Sequence, residues 1–190
     1  MSDLLYHLNG RDEISFVNEE WLSFALANQG ETLRPAQIVG RPLWDFIGDM
    51  ETTHIYRLLH QRVRTEGAPV RLCFRCDAPA LRRLLELEIS LTDNQELAYH
   101  VRTIRRQERA PVPLLDPHRP RSEQFVTICG WCKRVATPHG WLEVEQAVAE
   151  LSLFTEPHLP QLTHGICDQC NASLNPALAG EPGAIILGRL

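Results

Sequence analysis

The chain has 190 residues, of which 44% are apolar, and a formal net charge of −5. This length and composition predict one ordinary domain with a buried core and a small additional module. The mild negative charge disfavours binding to nucleic acid, which needs a basic surface. No stretch approaches the roughly 20 apolar residues of a membrane span, and the N-terminus lacks the pattern of a signal peptide. We therefore expect a cytoplasmic protein whose six cysteines are thiols or metal ligands.

The first segment predicts a β-hairpin followed by a helix. Residues 4–8 and 14–17 form the two strands, and an Asn-Gly dipeptide typical of tight turns lies between them. Asn18 is placed to cap a helix over residues 19–28, because an asparagine side chain accepts hydrogen bonds from the first free amides of a helix. Gly30 is expected to end that helix.

The next segment predicts short helical pieces and one longer helix. Prolines and glycines interrupt residues 31–50. Thr52 or Thr53 is placed to cap a helix that continues to about Thr65, with apolar residues at helical spacing.

Three strands are predicted after this helix, over residues 70–76, 84–91 and 97–104, because apolar and polar residues alternate there. Two strands, several helices and three strands, joined by short connections, predict an α+β fold. We expect an antiparallel five-stranded sheet with the helices packed on one face.

The middle strands carry two cysteines and several arginines. Cys73 and Cys76 have metal-ligand spacing, but residues three apart on a strand point to opposite faces, so we expect neither to bind a metal and Cys73 to face outward. Arg75, Arg82 and Arg83 could recognise an anionic ligand or a partner carboxylate. The alternation of the strand favours the simpler interpretation, in which these charges lie on a solvated face.

Two pairs of cysteines with two intervening residues, Cys129 with Cys132 and Cys167 with Cys170, predict one zinc site. Each short turn lets two thiolates face one point, and four soft ligands suit tetrahedral zinc. His164 could replace one thiolate, although we prefer it as a neighbour of the ligands. Four protein ligands leave no open position for a catalytic water, so the zinc is expected to be structural.

Changes in composition divide the chain into four parts. Residues 1–109 form the predicted α+β domain, the proline-rich residues 110–121 a linker, residues 122–176 the zinc-binding lobe and residues 177–190 a tail. A helix is predicted over residues 141–151 of the lobe. The tail is apolar and could be a docked strand or a segment that binds a partner.

The order of these elements resembles that of a Per-Arnt-Sim (PAS) domain over residues 4–106. The features that carry the resemblance are the opening hairpin with residues 14–18, the run from Gly40 to Ile47, the long helix and the three strands. Residues 75–79 with Arg82 and Arg83 resemble a bacterial subgroup, and residues 128–170 are similar to a zinc-associated segment of bacterial PAS proteins and signalling kinases. There a Cys-x-x-Cys-Lys pair and a His-Gly-Ile-Cys-x-x-Cys end recur.

The resemblance implies a stand-alone signalling protein, because the twenty residues after Cys170 are too few for an output domain. PAS domains bind a small ligand between sheet and helices, or pair with partner proteins, and many form homodimers. The residues that could line such a pocket are Trp21, Phe24, Trp44, Phe46, His54, Ile55, Leu58 and Phe74. Packing of the aromatic residues in the core is the alternative.

The sequence leaves open which cofactor such a pocket would hold. Leu43 lies where flavin-binding light sensors have a reactive cysteine, so we do not expect a photochemical adduct, although flavin held without a covalent bond stays open. Haem-binding members use a histidine near the long helix, and His54 and His60 lie there. A single helical histidine is a weak signal for an axial ligand, so haem is disfavoured.

The sequence favours a non-catalytic function over an enzymatic one, and two non-catalytic functions are open. The first is a non-catalytic sensor or adaptor that binds a small ligand or a signalling partner and contains a structural zinc. The second is a redox-responsive switch in which zinc-bound thiolates release the metal on oxidation. Catalysis is not expected, because the usual nucleophile, phosphate-loop and open-metal patterns are missing from the sequence.

Overall fold

The computed structural model describes residues 3–28, 33–153, 157–179 and 184–186, which form a mixed α+β protein with two sheets. The elements are β1 (Leu4–Leu8), β2 (Ile14–Val17), α1 (Glu19–Ala27), α2 (Pro35–Ile38), α3 (Met50–Glu66), β3 (Val70–Arg75), β4 (Leu81–Leu91), β5 (Leu97–Glu108), β6 (Arg121–Cys129), β7 (Val135–Thr137), β8 (Gly140–Leu142), α4 (Val144–Glu150), β9 (Leu159–Gly165), α5 (Asp168–Ala179) and β10 (Ala184–Ile186). Within the described residues, every helix falls short of the length and apolar character that a bilayer crossing requires.

The first sheet has the strand order β10-β3-β4-β5-β1-β2. Its five strands from the N-terminal part of the chain pair antiparallel, which confirms the predicted α+β class and sheet. A five-stranded antiparallel sheet with helices is consistent with a PAS-like fold. The added strand, β10, pairs parallel with β3. Of the two interpretations of the tail, residues 184–186 are a docked strand, while residues 180–183 and 187–190 lie outside the described part.

The main core lies between this sheet and α3. Ile55, Leu59 and Val63 recur at helical spacing along α3 and are buried against alternating residues of β4 such as Leu87 and Ile89. Both periodicities meet in one apolar layer, which is why the sequence places α3 on this face of the sheet.

The ends of the first helices show one cap that the sequence predicted and one that it did not. Asn18 caps α1, and its Oδ1 accepts hydrogen bonds from the Trp21 and Leu5 amides. The prediction that Thr52 or Thr53 caps α3 is wrong. The cap is Asp49, whose Oδ1 accepts from the Thr52 amide at 2.6 Å, so the helix begins at Met50. Gly30, the predicted end of α1, lies outside the described residues.

The second sheet has the order β8-β7-β6-β9 and forms a second core with α4. The prediction of a helix over 141–151 is wrong at its start, because Trp141 belongs to β8 and lies opposite Ala136 of β7 in a tight hairpin. The helix begins only at Val144, where the Glu143 amide donates to Gln146 Oε1 at 3.3 Å.

The proline-rich segment 110–121 contributes to the second core. Pro113–Leu115 forms a 3₁₀ turn, and Val112 and Leu114 are buried among the residues that pack on α4. The predicted division at 1–109, 110–121, 122–176 and 177–190 stays a prediction, but apolar contacts join these parts at several points.

Candidate metal centre and its surroundings

The first pair of cysteines lies in a tight turn at the end of β6. The Lys133 amide donates to the Cys129 carbonyl at 3.0 Å, and the Cys129 amide donates to the Arg134 carbonyl at 2.7 Å. Lys133 has φ 61°, so the chain reverses through a left-handed residue. This turn places the thiols of Cys129 and Cys132 side by side.

The second pair lies where β9 leads into α5. Cys167 precedes the helix and Cys170 is in its first turn, so the free amides of the helix N-terminus favour negative sulfur. The Cys170 amide lies 3.4 Å from Cys167 Sγ. The Gly165 carbonyl accepts from the Gly130 amide at 2.9 Å, which holds the second turn against the first.

The four cysteines form one compact group of sulfur atoms. All four residues are buried, and their Sγ atoms lie within 4.8 Å of one another. Cys132 Sγ and Cys167 Sγ are 3.7 Å apart. Four sulfurs at about 2.3 Å from zinc define a tetrahedron with edges of roughly 3.8 Å, so this donor set and spacing fit zinc. His164, the alternative ligand, is exposed on β9 and is not part of this group.

The thiols also compete for protons in a way that a cation would resolve. Hydrogen bonds from Cys132 and Cys170 hold the pKa of Cys129 far below its usual value. The hydrogen bond with Cys129 raises the pKa of Cys132 to about 12, and the hydrogen bonds with Cys129 and Cys132 raise the pKa of Cys170. One thiolate is therefore stabilised at the expense of its neighbours, and a divalent metal is what would allow all four to ionise.

The first turn inserts its tryptophan into the main core. Trp131 is buried, with ring centroids 5.8 Å from Tyr56 of α3 and 6.4 Å from Phe74 of β3. Its carbonyl accepts from the Arg75 amide at 2.7 Å. A Cβ atom at Gly130 would lie 3.5 Å from Thr52 Oγ1, so the turn also lies against the start of α3. The metal group and the first sheet thus share one core.

A partly buried ion-pair network connects the first sheet to the start of α4 beside this turn. The prediction that Arg75 lies on a solvated face is wrong, since only 1% of the residue is exposed. Its guanidinium pairs with Asp77 and, at 2.6 Å, with Glu143 at the start of α4. Arg82 and Arg109 both pair with Glu145, which lies in the first turn of α4. Two of these carboxylates lie at the start of α4, far along the chain from β3, so strand alternation alone could not reveal the burial of Arg75.

The histidines on α3 have different surroundings. His54 is exposed, whereas His60 is buried and both of its ring nitrogens are engaged. Nδ1 lies 2.9 Å from Asp12 Oδ1, and Nε2 contacts the Tyr99 hydroxyl. Burial lowers the pKa of His60 to about 4, against the opposing effect of Asp12. A neutral ring that donates from Nδ1–H and accepts from Tyr99 satisfies every group, and neither nitrogen is free for a haem iron.

The predicted pocket residues do not surround one cavity. Ile55 is buried in the main core, against which Trp21, Trp44 and Phe74 pack, and Leu58 is half-buried. Phe46 is 36% exposed and lies under the Arg41 guanidinium. Phe24 alone among the candidates lines a groove of about 440 Å³ between α1 and the first sheet.

The Cys73 side chain, predicted to face outward and not to ligate, is 3% exposed and lies outside the group of four sulfurs. Sequence reasoning missed the roles of Trp131, Arg75 and Asp12. The only available signal was for Trp131, because a large apolar residue inside a metal-binding turn needs a surface on which to pack.

Comparison of the chain with models of known protein families gives no match, and comparison with curated proteins gives none either.

Proposed function

We propose that this chain is a non-catalytic sensor or adaptor of PAS-like architecture in which Cys129, Cys132, Cys167 and Cys170 hold one structural zinc ion. The single observation that carries the proposal is that the four sulfurs belong to the main core and not to a separate surface lobe. A metal in that position would stabilise the sheet and helix that a PAS-like protein uses for recognition.

A structural role agrees with the closed donor set. Four thiolates complete a tetrahedral shell, which leaves no position for a water or substrate. The groups that resemble a catalytic set, His60 with Asp12 and Tyr99, bond to one another, and Asp12 also pairs with Arg64 at 2.7 Å. We therefore propose no reaction and expect the chain to act through a ligand or a partner protein, with a homodimer as one arrangement.

Elemental analysis of the purified protein, combined with its absorption spectrum, tests this proposal. We expect one zinc per chain and no visible absorbance. Cys132→Ser should lower the zinc content to well below one, whereas the matched variant Cys73→Ser, which changes a buried cysteine outside the group, should keep one zinc. Equal metal contents in the two variants, or a visible haem or flavin band, would contradict the proposal.

A redox-responsive zinc switch is the second candidate. The observation that favours it is the 3.7 Å separation of Cys132 Sγ and Cys167 Sγ, which belong to different turns. Peroxide would take two electrons from these thiolates, which would form a disulfide and release zinc while the peroxide is reduced to water. Both residues are only 3% or less exposed, which disfavours rapid attack. No zinc release to a dye at modest peroxide concentrations would exclude the switch.

A further inference from the structure

The groove between α1 and the first sheet contains two arginines that face each other across neighbouring strands. Arg83 of β4 and Arg106 of β5 are directly paired in the sheet register, and both line the groove. Like charges directly opposite each other in a sheet are destabilising. Within the described part of the chain, no carboxylate forms an ion pair with either guanidinium. Arg106 is exposed and Arg83 is half-buried, so both guanidinium groups are accessible to a ligand in the groove.

A β-bulge is what turns Arg106 toward the groove. Leu85 pairs with Thr103 and Leu84 pairs with Arg105, so Ile104 is an extra residue that shifts the register. Without the bulge, the alternation of β5 would aim Arg105 at the groove and Arg106 at the opposite face. Bulges commonly re-aim a side chain at a site, and here the result is to bring a second guanidinium beside Arg83.

Arg83 is held in place before any ligand arrives. Its Nε donates to the Cys76 carbonyl at 2.7 Å, and one Nη donates to Asn28 Oδ1 at 2.6 Å. The guanidinium lies over the Phe24 ring, 4.9 Å from its centroid. These contacts fix the plane of the group without neutralising its charge, which is the state of an arginine that is ready to bind a carboxylate.

The rest of the groove limits the chemistry of its ligand. Leu85 and Val101 form an apolar floor, while Glu19 and Glu20 line the groove from the first turn of α1. Glu19 and Glu20 belong to the first turn of α1, whereas Arg83 donates to Asn28 just after its last turn. A ligand that lies along α1 would therefore meet carboxylates at one end, an apolar floor, and a guanidinium group at the other end. The volume of about 440 Å³ is within the range of small-molecule sites.

We propose that this groove binds a small zwitterion with an apolar body, with its carboxylate at Arg83 and Arg106 and its ammonium group near Glu19 and Glu20. This inference rests on the proposed sensor function and names the class of ligand for it. The charge pattern selects against molecules with only one of the two charges, because the charged residues at one end of the groove would then face an apolar end of the ligand.

Calorimetric titration with three probes of equal chain length tests the charge pattern: 6-aminohexanoate, hexanoate and hexylamine. We expect 6-aminohexanoate to bind most tightly, hexanoate more weakly, and hexylamine most weakly. Equal affinity for 6-aminohexanoate and hexanoate would overturn the zwitterion assignment, and failure of all three probes to bind would overturn the site.

Substitutions test where the carboxylate and the ammonium group of the ligand bind. Arg106→Gln should weaken binding of both carboxylates by about tenfold, the typical effect of losing a charge-assisted hydrogen bond. Arg105→Gln, on the opposite face of the same strand, should not change it. Glu20→Gln should weaken 6-aminohexanoate and hexylamine but not hexanoate, whereas Glu51→Gln, at the equivalent position in the first turn of α3, should have no effect. If Arg105→Gln weakened binding as much as Arg106→Gln, or Glu51→Gln as much as Glu20→Gln, the assignment would be overturned.

The zinc content of the same samples separates this inference from the proposed function. If the protein contains one zinc per chain but binds no probe, the structural zinc is supported and only the ligand assignment is contradicted. If the protein binds 6-aminohexanoate without zinc, the groove assignment is supported and the structural role of the metal is contradicted.

Discussion

At the scale of single residues, the guanidinium of Arg75 is stable inside the protein only because carboxylates surround it. Asp77 has a side chain with 0% exposure, and its charge is balanced by Arg75 and by Arg109 at 3.2 Å. Removing one arginine would leave a buried carboxylate with too little compensation. Breaking the pair is therefore strongly destabilising, although the net contribution of the intact pair to stability is modest.

We predict that Arg75→Met lowers the free energy of unfolding by about 3 kcal/mol, since the buried Asp77 carboxylate keeps, among the described residues, only Arg109 as an ion-pair partner. The matched variant Arg71→Met removes an exposed arginine from the same strand, where it pairs with Glu88, and should change stability little. Urea unfolding of both variants measures the difference. Similar losses in the two proteins would show that the buried network is not important for stability.

His60 provides a second prediction at this scale, which concerns pH. Burial lowers its folded-state pKa to about 4, while an unfolded histidine has its usual value of about 6.5. Between these values the unfolded chain binds a proton that the folded chain does not. Stability therefore falls as the pH decreases from about 6.5 to about 4. The total loss is about 3 kcal/mol from this residue, at 1.36 kcal/mol per unit.

Acid also protonates the cysteines, and the resulting loss of stability occurs both in the unmodified protein and in the variant His60→Gln. Comparison of the two proteins therefore isolates the contribution of His60. Asp12, Arg57 and Arg64 are present in both proteins as well, so their charges cancel in the difference. We expect the stability advantage of the unmodified protein over the variant to shrink as the pH falls. A difference that stays constant from pH 7 to pH 4 would mean that His60 is not held neutral.

At the scale of elements, the metal-binding turn completes the outer edge of β3. Residues Arg71, Leu72 and Cys73 pair with β10, and the next free amide on that side, of Arg75, donates to Trp131. Trp131 also contacts Tyr56 of α3. Loss of the metal should therefore loosen β3 and α3, although neither contains a ligand.

Hydrogen exchange before and after removal of zinc by a chelator tests this connection. We expect faster exchange for the amides of α3 and β3, as well as for the two cysteine turns, because their opening would no longer require the metal site to break. The β1–β2 hairpin, on the far side of the sheet, is the internal reference and should change least. Changes confined to residues 121–170 would contradict a shared core.

The elements that sequence predicted best are those whose signal is local. Alternation located β3, β4 and β5, and the spacing of Cys129 to Cys132 and Cys167 to Cys170 predicted the group of four sulfurs. The start of α3 was wrong because two threonines and an aspartate all favour a cap, and only the packing of the helix selects Asp49. Trp141 was assigned to a helix because short apolar segments have no distinctive period.

At the scale of the whole molecule, what sequence could not predict is how the two sheets meet. The burial of Arg75 and Trp131 depends on residues more than fifty positions away, on contacts that no local pattern contains. The alternation of β3 correctly separated the two faces, but it could not reveal that Glu143, at the start of α4, pairs with Arg75 on the outer face. Sequence separated the chain into a domain and a lobe, whereas the metal group lies in the core of the first sheet.

This shared core predicts that the chain unfolds as one cooperative unit. Val148 is buried in the second core, away from the first sheet, and Val148→Ala should cost about 2 kcal/mol through the cavity that it leaves. Urea unfolding followed by far-ultraviolet circular dichroism and by zinc release should give coincident curves, and the variant should shift both curves equally. Most strand residues belong to the first sheet, so circular dichroism reports mainly on that sheet. If the lobe unfolded independently, unfolding would show two steps, and Val148→Ala would shift only the step of the lobe. Coincident shifts would mean that the metal, the ion pairs and the sheet are stabilised together, so that any ligand which stabilises the first sheet also strengthens retention of the metal.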